Sequence, residues 1–152
     1  MSDGKKRLDI LIAEDDDDDF LLVSEAFEES GLVYQLYRAR DGEELLDFLL
    51  HQGLFCDPVR SPRPRLILLD LNMPRKDGRE ALAEIKAHPE LRQIPVVILT
   101  TSKAEEDIAR SYDLGGNSFI RKPVDFQDFV KIIQTLGAYW FEIVQLPPHP
   151  EN

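Results

Sequence analysis

The chain has 152 residues, of which 43% are hydrophobic, so it can build one domain with a continuous core, and we expect no second output domain. Its 18 Lys and Arg residues against 29 Asp and Glu residues give a formal net charge of −11, which argues against nucleic-acid and membrane partners. The single cysteine, Cys56, excludes an internal disulfide, and the apolar run near the N-terminus is too short for a signal peptide. We therefore expect a cytoplasmic protein.

Short apolar runs alternate along the chain with segments in which apolar residues recur at helical spacing. Gly31 predicts a left-handed cap after the first helix, and Asp41 with Gly42 predicts a turn into the second. The predicted elements, in chain order, are a strand at 8–13, a helix around 20–27, a strand at 34–38, a helix around 45–49, a loop at 53–65, a strand at 66–69, a helix around 81–86, a strand at 96–99, a helix at 104–114, a strand at 118–121 and a helix from 126 to about 144.

This alternation predicts an α/β fold of five βα units, (βα)5, in which helices cover both faces of a parallel sheet. In folds of this class the reactive residues lie beyond the carboxyl ends of the strands, near the point where the strand order reverses. The residues that directly follow each predicted strand are therefore the first candidates for chemistry.

Polar residues capable of phosphoryl chemistry follow four of the predicted strands. Glu14 and Asp15 follow the first strand, Asp70 the third, Thr100 the fourth and Lys122 the fifth. Clustered carboxylates favour a bound cation, and an all-oxygen set suits Mg²⁺ or Mn²⁺ better than Zn²⁺. Asp70 is the candidate nucleophile, Lys122 the candidate positive charge, and Thr100 the candidate hydroxyl that contacts a phosphoryl oxygen.

Four fragments in this order, ILIAEDD, LILLDLNMPRKDG, VVILTTS and NSFIRKP, resemble the response-regulator receiver domain of two-component signalling. The resemblance covers residues 7–136, and it implies a doubly wound, CheY-like five-stranded sheet with strand order 2-1-3-4-5. Residues 1–6 are then an N-terminal tail. Residues 137–152 are a C-terminal extension that continues the last helix and ends in a Pro-rich tail.

The resemblance also implies a role for each residue near the proposed metal. Asp70 accepts the phosphoryl group from a sensor histidine kinase, and the domain catalyses its own phosphotransfer and dephosphorylation without acting as a conventional enzyme. Asp15 ligates Mg²⁺ directly, Glu14 assists through water, and Asn72 offers its backbone carbonyl.

Three further roles concern the response to phosphorylation. By the same resemblance Thr100 contacts the phosphoryl group and Phe119 reports the movement of Thr100 to the outer face. Lys122 makes the charge contact, and Pro123 shapes the loop that carries it.

The segments TTSKAEEDIARSYDLGGNSFIRKPVDF and YWFEIVQLP are most similar to stand-alone regulators of bacterial phytochrome kinases, which makes a phytochrome the specific candidate for the kinase partner. The tail adds large apolar residues beyond a completed sheet, which predicts a patch covered by a second copy of the chain. We expect a homodimer, with Leu136, Tyr139, Trp140 and Ile143 as interface residues.

Three alternatives follow from the same residues. A phosphorylation-independent binding module would keep the fold while the extra negative charge of Asp16–Asp19 silences the pocket, although such a run is more often a solvated helix start. An aspartyl-phosphate phosphohydrolase would need a second Asp at position 72, which is Asn. A dinucleotide-binding protein would need a Gly-rich turn after the first strand, and none is present.

Overall fold

The computed structural model describes residues 8–71, 73, 76, 78–100, 118–121 and 125–137, of which positions 100, 118–121 and 136–137 are described by their backbone. Strands and helices alternate along these residues. In chain order the elements are β1 (Leu8–Ala13), α1 (Asp17–Ser30), β2 (Tyr34–Ala39), α2 (Gly42–Leu50), a short 3-10 helix (Gly53–Phe55), β3 (Leu66–Leu69), α3 (Gly78–Ala87), β4 (Val96–Thr100), β5 (Ser118–Arg121) and α4 (Phe126–Gly137).

The five strands form one parallel sheet in the order β2-β1-β3-β4-β5, which confirms the predicted fold class and strand order. The chain goes from β1 to β2 on one side and then returns to place β3 on the other side of β1. The strand order therefore reverses between β1 and β3, and the carboxyl ends of these two strands flank the crevice where doubly wound sheets bind ligands.

Each central strand is apolar on both faces because helices cover both sides of the sheet. Alternate residues of a strand point to opposite faces, so the core divides into two clusters. One face, which includes Leu11, Ile67 and Ile98, packs against residues of α2 and α3. The other face, which includes Ile10 and Leu68, packs against residues of α1 and α4. This explains why the central runs read as continuous apolar stretches.

The helix ends have local causes. Asp16 caps α1 by accepting a hydrogen bond from the backbone N–H of Asp19, and α1 ends at Gly31 with a φ of 79°, as predicted. Asp41 caps α2 in the same way, accepting from the N–H of Glu44. The helix then ends at His51, whose φ of 57° is a left-handed conformation that the sequence did not predict for a non-glycine residue.

The predicted loop at 53–65 is anchored more firmly than its composition suggested. Its start forms a 3-10 helix, and the ring of Phe55 lies 5.3 Å from that of Phe48, measured between centroids. The imidazole of His51 is hydrogen-bonded to the carbonyl of Ser61 at 2.9 Å. These contacts join residues seven and ten positions apart, and helix or strand periodicity does not reveal them.

The remaining differences from the predicted elements are small. The second strand continues one residue further than predicted, to Ala39, and the last helix is described as far as Gly137. The predicted helix at 104–114 and the predicted continuation of the last helix to about 144 lie outside the described residues. Within the part of the chain that is described, none of the helices is long and apolar enough to cross a membrane.

Candidate metal centre

Three carboxylates converge at the carboxyl edge of the sheet, beside the reversal of strand order. Glu14 and Asp15 directly follow β1, and Asp70 directly follows β3. The two strands are paired up to Ala13 and Leu69. The backbone N–H of Asp70 then donates to the carbonyl of Ala13 at 3.0 Å, so the ladder continues into the site. One carboxylate oxygen from each of the three acidic residues lies within 4.8 Å of the others.

The surroundings of these carboxylates make a cation favourable. Glu14 and Asp70 are buried, with 1% and 7% of their surface exposed, while Asp15 is exposed to solvent. Like charges at this separation repel, and burial of two of them strengthens the repulsion because the interior has a lower dielectric constant than water. A set of carboxylate oxygens with one open side fits a hard divalent ion such as Mg²⁺ or Mn²⁺.

The acidic run that follows is used mainly to begin α1. Asp16 donates its backbone N–H to Oε2 of Glu14 at 3.2 Å and caps the helix with its side chain. Asp17, Asp18 and Asp19 occupy the first turn, where the helix dipole favours negative charge. The geometry therefore agrees with the interpretation of Asp16–Asp19 as a helix start.

Asp17 has two basic partners, one at the end of β2 and one directly after it. Its Oδ1 lies 2.9 Å from Nη1 of Arg38 and 3.1 Å from Nη1 of Arg40. The hydrogen bond from Arg38, followed by that from Arg40, lowers the pKa of the Asp17 carboxyl below its ordinary value. The negative charge of this side chain is therefore paired with two arginines.

The loop after Asp70 is tied to two helices. The carbonyl of Lys76 accepts a hydrogen bond from the N–H of Gly42 at 2.9 Å, and the Lys76 ammonium group forms an ion pair with Glu84 of α3. The N–H of Gly78, at the start of α3, donates to the carbonyl of Leu71 at 3.0 Å. These bonds restrict the backbone that leaves Asp70.

The model of the family described as "Response regulator receiver domain" matches residues 10–134 of the chain. The chain belongs to this family. As a receiver-type response regulator of two-component signalling, it is a signalling protein rather than a classical enzyme.

Named relatives agree with this assignment and with the resemblance to phytochrome regulators. The receiver is 46% identical over 138 residues to response regulator Rcp1 of Synechocystis sp., an alignment that covers 91% of this chain and 92% of Rcp1. Its fold is similar to that of the phosphorylated cyanobacterial phytochrome response regulator RcpA, with a TM-score of 0.84, 40% identity and coverage of 94% of this chain and 100% of RcpA. It is also similar to the Mn²⁺-bound form of Rcp1, with a TM-score of 0.81, 45% identity and coverage of 93% and 99%.

Of the other predicted site residues, three are described by their backbone, and the rest lie outside the described part of the chain. Thr100 ends β4 and is paired with Arg121, while Phe119 is paired with Ile98, so both belong to neighbouring strands of the same sheet. Leu136 lies in α4. The residues outside the described part of the chain are Asn72, Lys122, Pro123, Tyr139, Trp140 and Ile143.

Sequence analysis missed one residue that contacts the backbone of the receiver's acidic pair. Nε of Arg38 donates to the carbonyl oxygen of Glu14 at 3.0 Å. In the sequence, Arg38 is simply a basic residue near the end of a predicted strand, between Tyr37 and Ala39. That pattern alone does not distinguish a solvated arginine from one that reaches across to the next strand.

Proposed function

We propose that this receiver is a cytoplasmic protein that accepts a phosphoryl group on Asp70 from the phosphohistidine of a sensor histidine kinase. A carboxylate oxygen of Asp70 attacks phosphorus, the new O–P bond forms as the N–P bond to histidine breaks, and the bonding electrons remain on the imidazole nitrogen. The observation that carries the proposal is the convergence of carboxylate oxygens from Glu14, Asp15 and Asp70 within 4.8 Å.

The same three carboxylates, together with the backbone carbonyl of Asn72, would hold Mg²⁺, with Mn²⁺ as a substitute. When bound, the ion supplies positive charge that offsets the charge of the phosphoryl oxygens. The Mn²⁺-bound form of the relative Rcp1 supports a divalent ion in this family. Asp15 is the exposed member of the set and can bind an ion that arrives from solvent. Glu14 is buried and would assist through a water molecule.

Asp70 has the surroundings that a positioned nucleophile requires. Its side chain is largely buried, and its backbone is held on one side by the bond to Ala13 and on the other by the close approach of Gly78. A fixed backbone keeps the carboxylate near the attacking geometry before the phosphoryl group arrives. The same carboxylate is the site from which water later releases the phosphoryl group.

The switch that follows phosphorylation involves the edge formed by β4 and β5. In this proposal the Lys122 ammonium group pairs with a phosphoryl oxygen and the Thr100 hydroxyl donates to another, while Pro123 shapes the loop after β5. Movement of Thr100 makes room for the Phe119 ring, which changes the outer face of the neighbouring strand. The pairing of β4 with β5 supports this coupling, because Phe119 lies opposite Ile98, two residues before Thr100 on β4.

The product of the reaction is a changed surface for protein partners. We propose a phytochrome histidine kinase as donor, on the strength of the named relative RcpA, a phosphorylated phytochrome response regulator. We also propose a layout of tail 1–6, receiver domain 7–136 and extension 137–152. The extension and α4 would form a homodimer through Leu136, Tyr139, Trp140 and Ile143.

The phosphoacceptor is tested by incubating the purified chain with acetyl phosphate and Mg²⁺ and measuring its intact mass. We expect wild type to gain about 80 Da, the mass of one phosphoryl group, and Asp70→Asn to gain none. Asp128→Asn, which neutralises an exposed carboxylate on α4, is the matched control and should label as wild type does. Addition of EDTA should prevent labelling of both wild type and the control.

Two other outcomes would change the assignment. Equal labelling of wild type and Asp70→Asn would move the phosphoacceptor to another residue. A wild-type chain that binds Mg²⁺ but is never labelled, by acetyl phosphate or by a phosphorylated kinase, would instead support the phosphorylation-independent binding module.

A further inference from the structure

Arg38 makes three different contacts around the segment between β1 and α1 that carries Glu14 and Asp15. Besides its bonds to the Glu14 carbonyl and to Asp17, its Cζ lies 4.6 Å from the centroid of the Phe20 ring. Its side chain is only 14% exposed. We call this group, formed by Arg38, the Glu14 carbonyl, Asp17 and Phe20, the Arg38 clamp. The clamp joins β2 to the end of β1 and to the first turn of α1.

Stability of the fold does not by itself account for a partly buried arginine whose Nη2 atom is buried. Nη2 of Arg38 is buried and has no hydrogen-bond partner among the residues that the structure describes. A buried donor without a partner destabilises the folded state, and an apolar side chain at this position would avoid that cost. Exceptions of this kind to the rules of packing are expected at functional sites.

We infer that Arg38 is a positioning residue of the metal centre, an inference that rests on the proposed function. The Glu14 carbonyl belongs to the planar peptide group that joins Glu14 to Asp15. A hydrogen bond to that oxygen therefore restrains the orientation of both residues at once, and with it the directions in which their carboxylates leave the backbone. Contacts beyond the ligands themselves commonly orient metal-binding carboxylates in this way.

Charge and geometry act in opposite directions at this position, which makes the inference testable. A positive guanidinium near the site repels a cation, and its removal would tighten metal binding if charge were the dominant effect. Part of this repulsion is offset because Asp17 pairs with the guanidinium. Loss of the bond to the Glu14 carbonyl would instead give Glu14 and Asp15 more freedom to move and weaken metal binding.

Arg38→Lys separates the two effects because it keeps the charge. A single ammonium group cannot reproduce the planar fork that reaches the Glu14 carbonyl and Asp17 while lying over the Phe20 ring. We expect the Mg²⁺ dissociation constant of the full chain, measured by isothermal titration calorimetry, to rise about tenfold. Arg38→Met should also weaken binding, although it removes a positive charge.

Arg40→Lys is the matched control. Arg40 pairs with the same Oδ1 of Asp17 at 3.1 Å, and its side chain is 58% exposed. Within the described part of the chain, the arginine that donates to the Glu14 carbonyl is Arg38 and not Arg40. Its Mg²⁺ dissociation constant should stay within about twofold of wild type, because exposed ion pairs contribute little. The electron paramagnetic resonance spectrum of bound Mn²⁺ should change in Arg38→Lys and not in Arg40→Lys, since it reports the arrangement of ligands.

The metal-free unfolding midpoint of each variant verifies that it is folded at the temperature of titration. If Arg38→Lys is unfolded, Phe20→Leu is titrated in its place. This variant keeps the arginine but removes the aromatic ring against which it packs, and we expect it also to weaken Mg²⁺ binding. Unchanged affinity in Arg38→Lys, tighter binding in Arg38→Met, or equal weakening in Arg40→Lys would each overturn the inference. Failure of wild type to bind Mg²⁺ would overturn the metal centre itself, which distinguishes the two failures.

Discussion

A β-carbon placed on Gly78 would lie 2.4 Å from the carbonyl oxygen of Asp70. No pair of non-bonded atoms of this kind tolerates such a distance, so the start of α3 can approach the end of β3 only if position 78 is glycine. The residue proposed to carry the phosphoryl group is therefore held by the backbone of the helix that follows it.

Gly78→Ala should destabilise the fold and displace Asp70. We expect a loss of about 2 kcal/mol or more in the free energy of unfolding, because the new methyl group would meet backbone atoms of Asp70 and Leu71 that cannot move independently. Gly31→Ala is the comparison: apart from its chain neighbours, no described residue lies within 4 Å of a β-carbon placed there, so the positive φ of 79° is what opposes the change, at about 1 kcal/mol. Urea unfolding measures both, and equal losses would show that the contact at Gly78 relaxes easily.

Asp41 should stabilise α2 as a hydrogen-bond acceptor. Its buried side chain accepts from the N–H of Glu44 at 2.9 Å, while Oε1 of Glu44 accepts from the N–H of Arg40 at 2.9 Å. Asp41→Ala should lower the free energy of unfolding by about 1–2 kcal/mol, and Asp41→Asn by much less, because asparagine retains the accepting oxygen. A loss in Asp41→Asn as large as in Asp41→Ala would show that the negative charge, and not the cap, is what matters.

Metal binding should reverse the effect of Asp70 on stability. Without Mg²⁺, Asp70→Asn should raise the free energy of unfolding by about 1–3 kcal/mol, because it removes one charge from the three neighbouring carboxylates. At a Mg²⁺ concentration about 100 times the dissociation constant, wild type should gain about 2.7 kcal/mol. Urea unfolding with Mg²⁺ or EDTA measures both effects, with Asp128→Asn as the control. A wild-type midpoint that does not respond to Mg²⁺ would contradict the metal centre.

Lys86 should make stability depend on alkaline pH. Burial lowers the pKa of Lys86 below the usual 10.5, while its Nζ donates to the carbonyls of Arg92 and Ile94 at 3.0 and 2.8 Å. Between the lowered pKa and 10.5 the unfolded chain binds more protons, so the contribution of this lysine to stability rises with pH through that window. The difference in free energy of unfolding between wild type and Lys86→Met should therefore increase as pH approaches 10.5. Lys131→Met, which removes an exposed lysine from α4, is the control, and the same increase there would contradict the prediction.

Local patterns were enough to predict the sheet and the three carboxylates at its edge. The run LILL at 66–69 is buried at every position because the strand is covered on both faces, which is the property that makes such runs recognisable. Glu14, Asp15 and Asp70 were placed together because parallel strands bring their carboxyl ends to one edge. The roles proposed for Thr100, Phe119, Lys122 and Pro123 stay predictions.

Contacts between distant residues could not be predicted in the same way. Arg38 reaches the Glu14 carbonyl from a position 24 residues later in the chain. Gly42, at the start of α2, lies close to the carbonyl of Lys76 in the loop between β3 and α3. A β-carbon at position 42 would be only 2.1 Å from that oxygen. His51, which has a left-handed conformation, is hydrogen-bonded through its imidazole to the carbonyl of Ser61, ten residues later. No short segment encodes these distances.

The amino-acid sequence by itself determined the alternation of strands and helices, the caps at Asp16, Asp41 and Gly31, and the identity of the acidic residues at the strand ends. Each of these depends on hydrophobic periodicity or on hydrogen bonds between residues a few positions apart. Only the tertiary structure decided that Arg38 donates a hydrogen bond to the Glu14 carbonyl and that Gly78 lies against Asp70. Those relationships are set by strand register and helix packing, which arise from the whole core acting together and from no single segment of the chain.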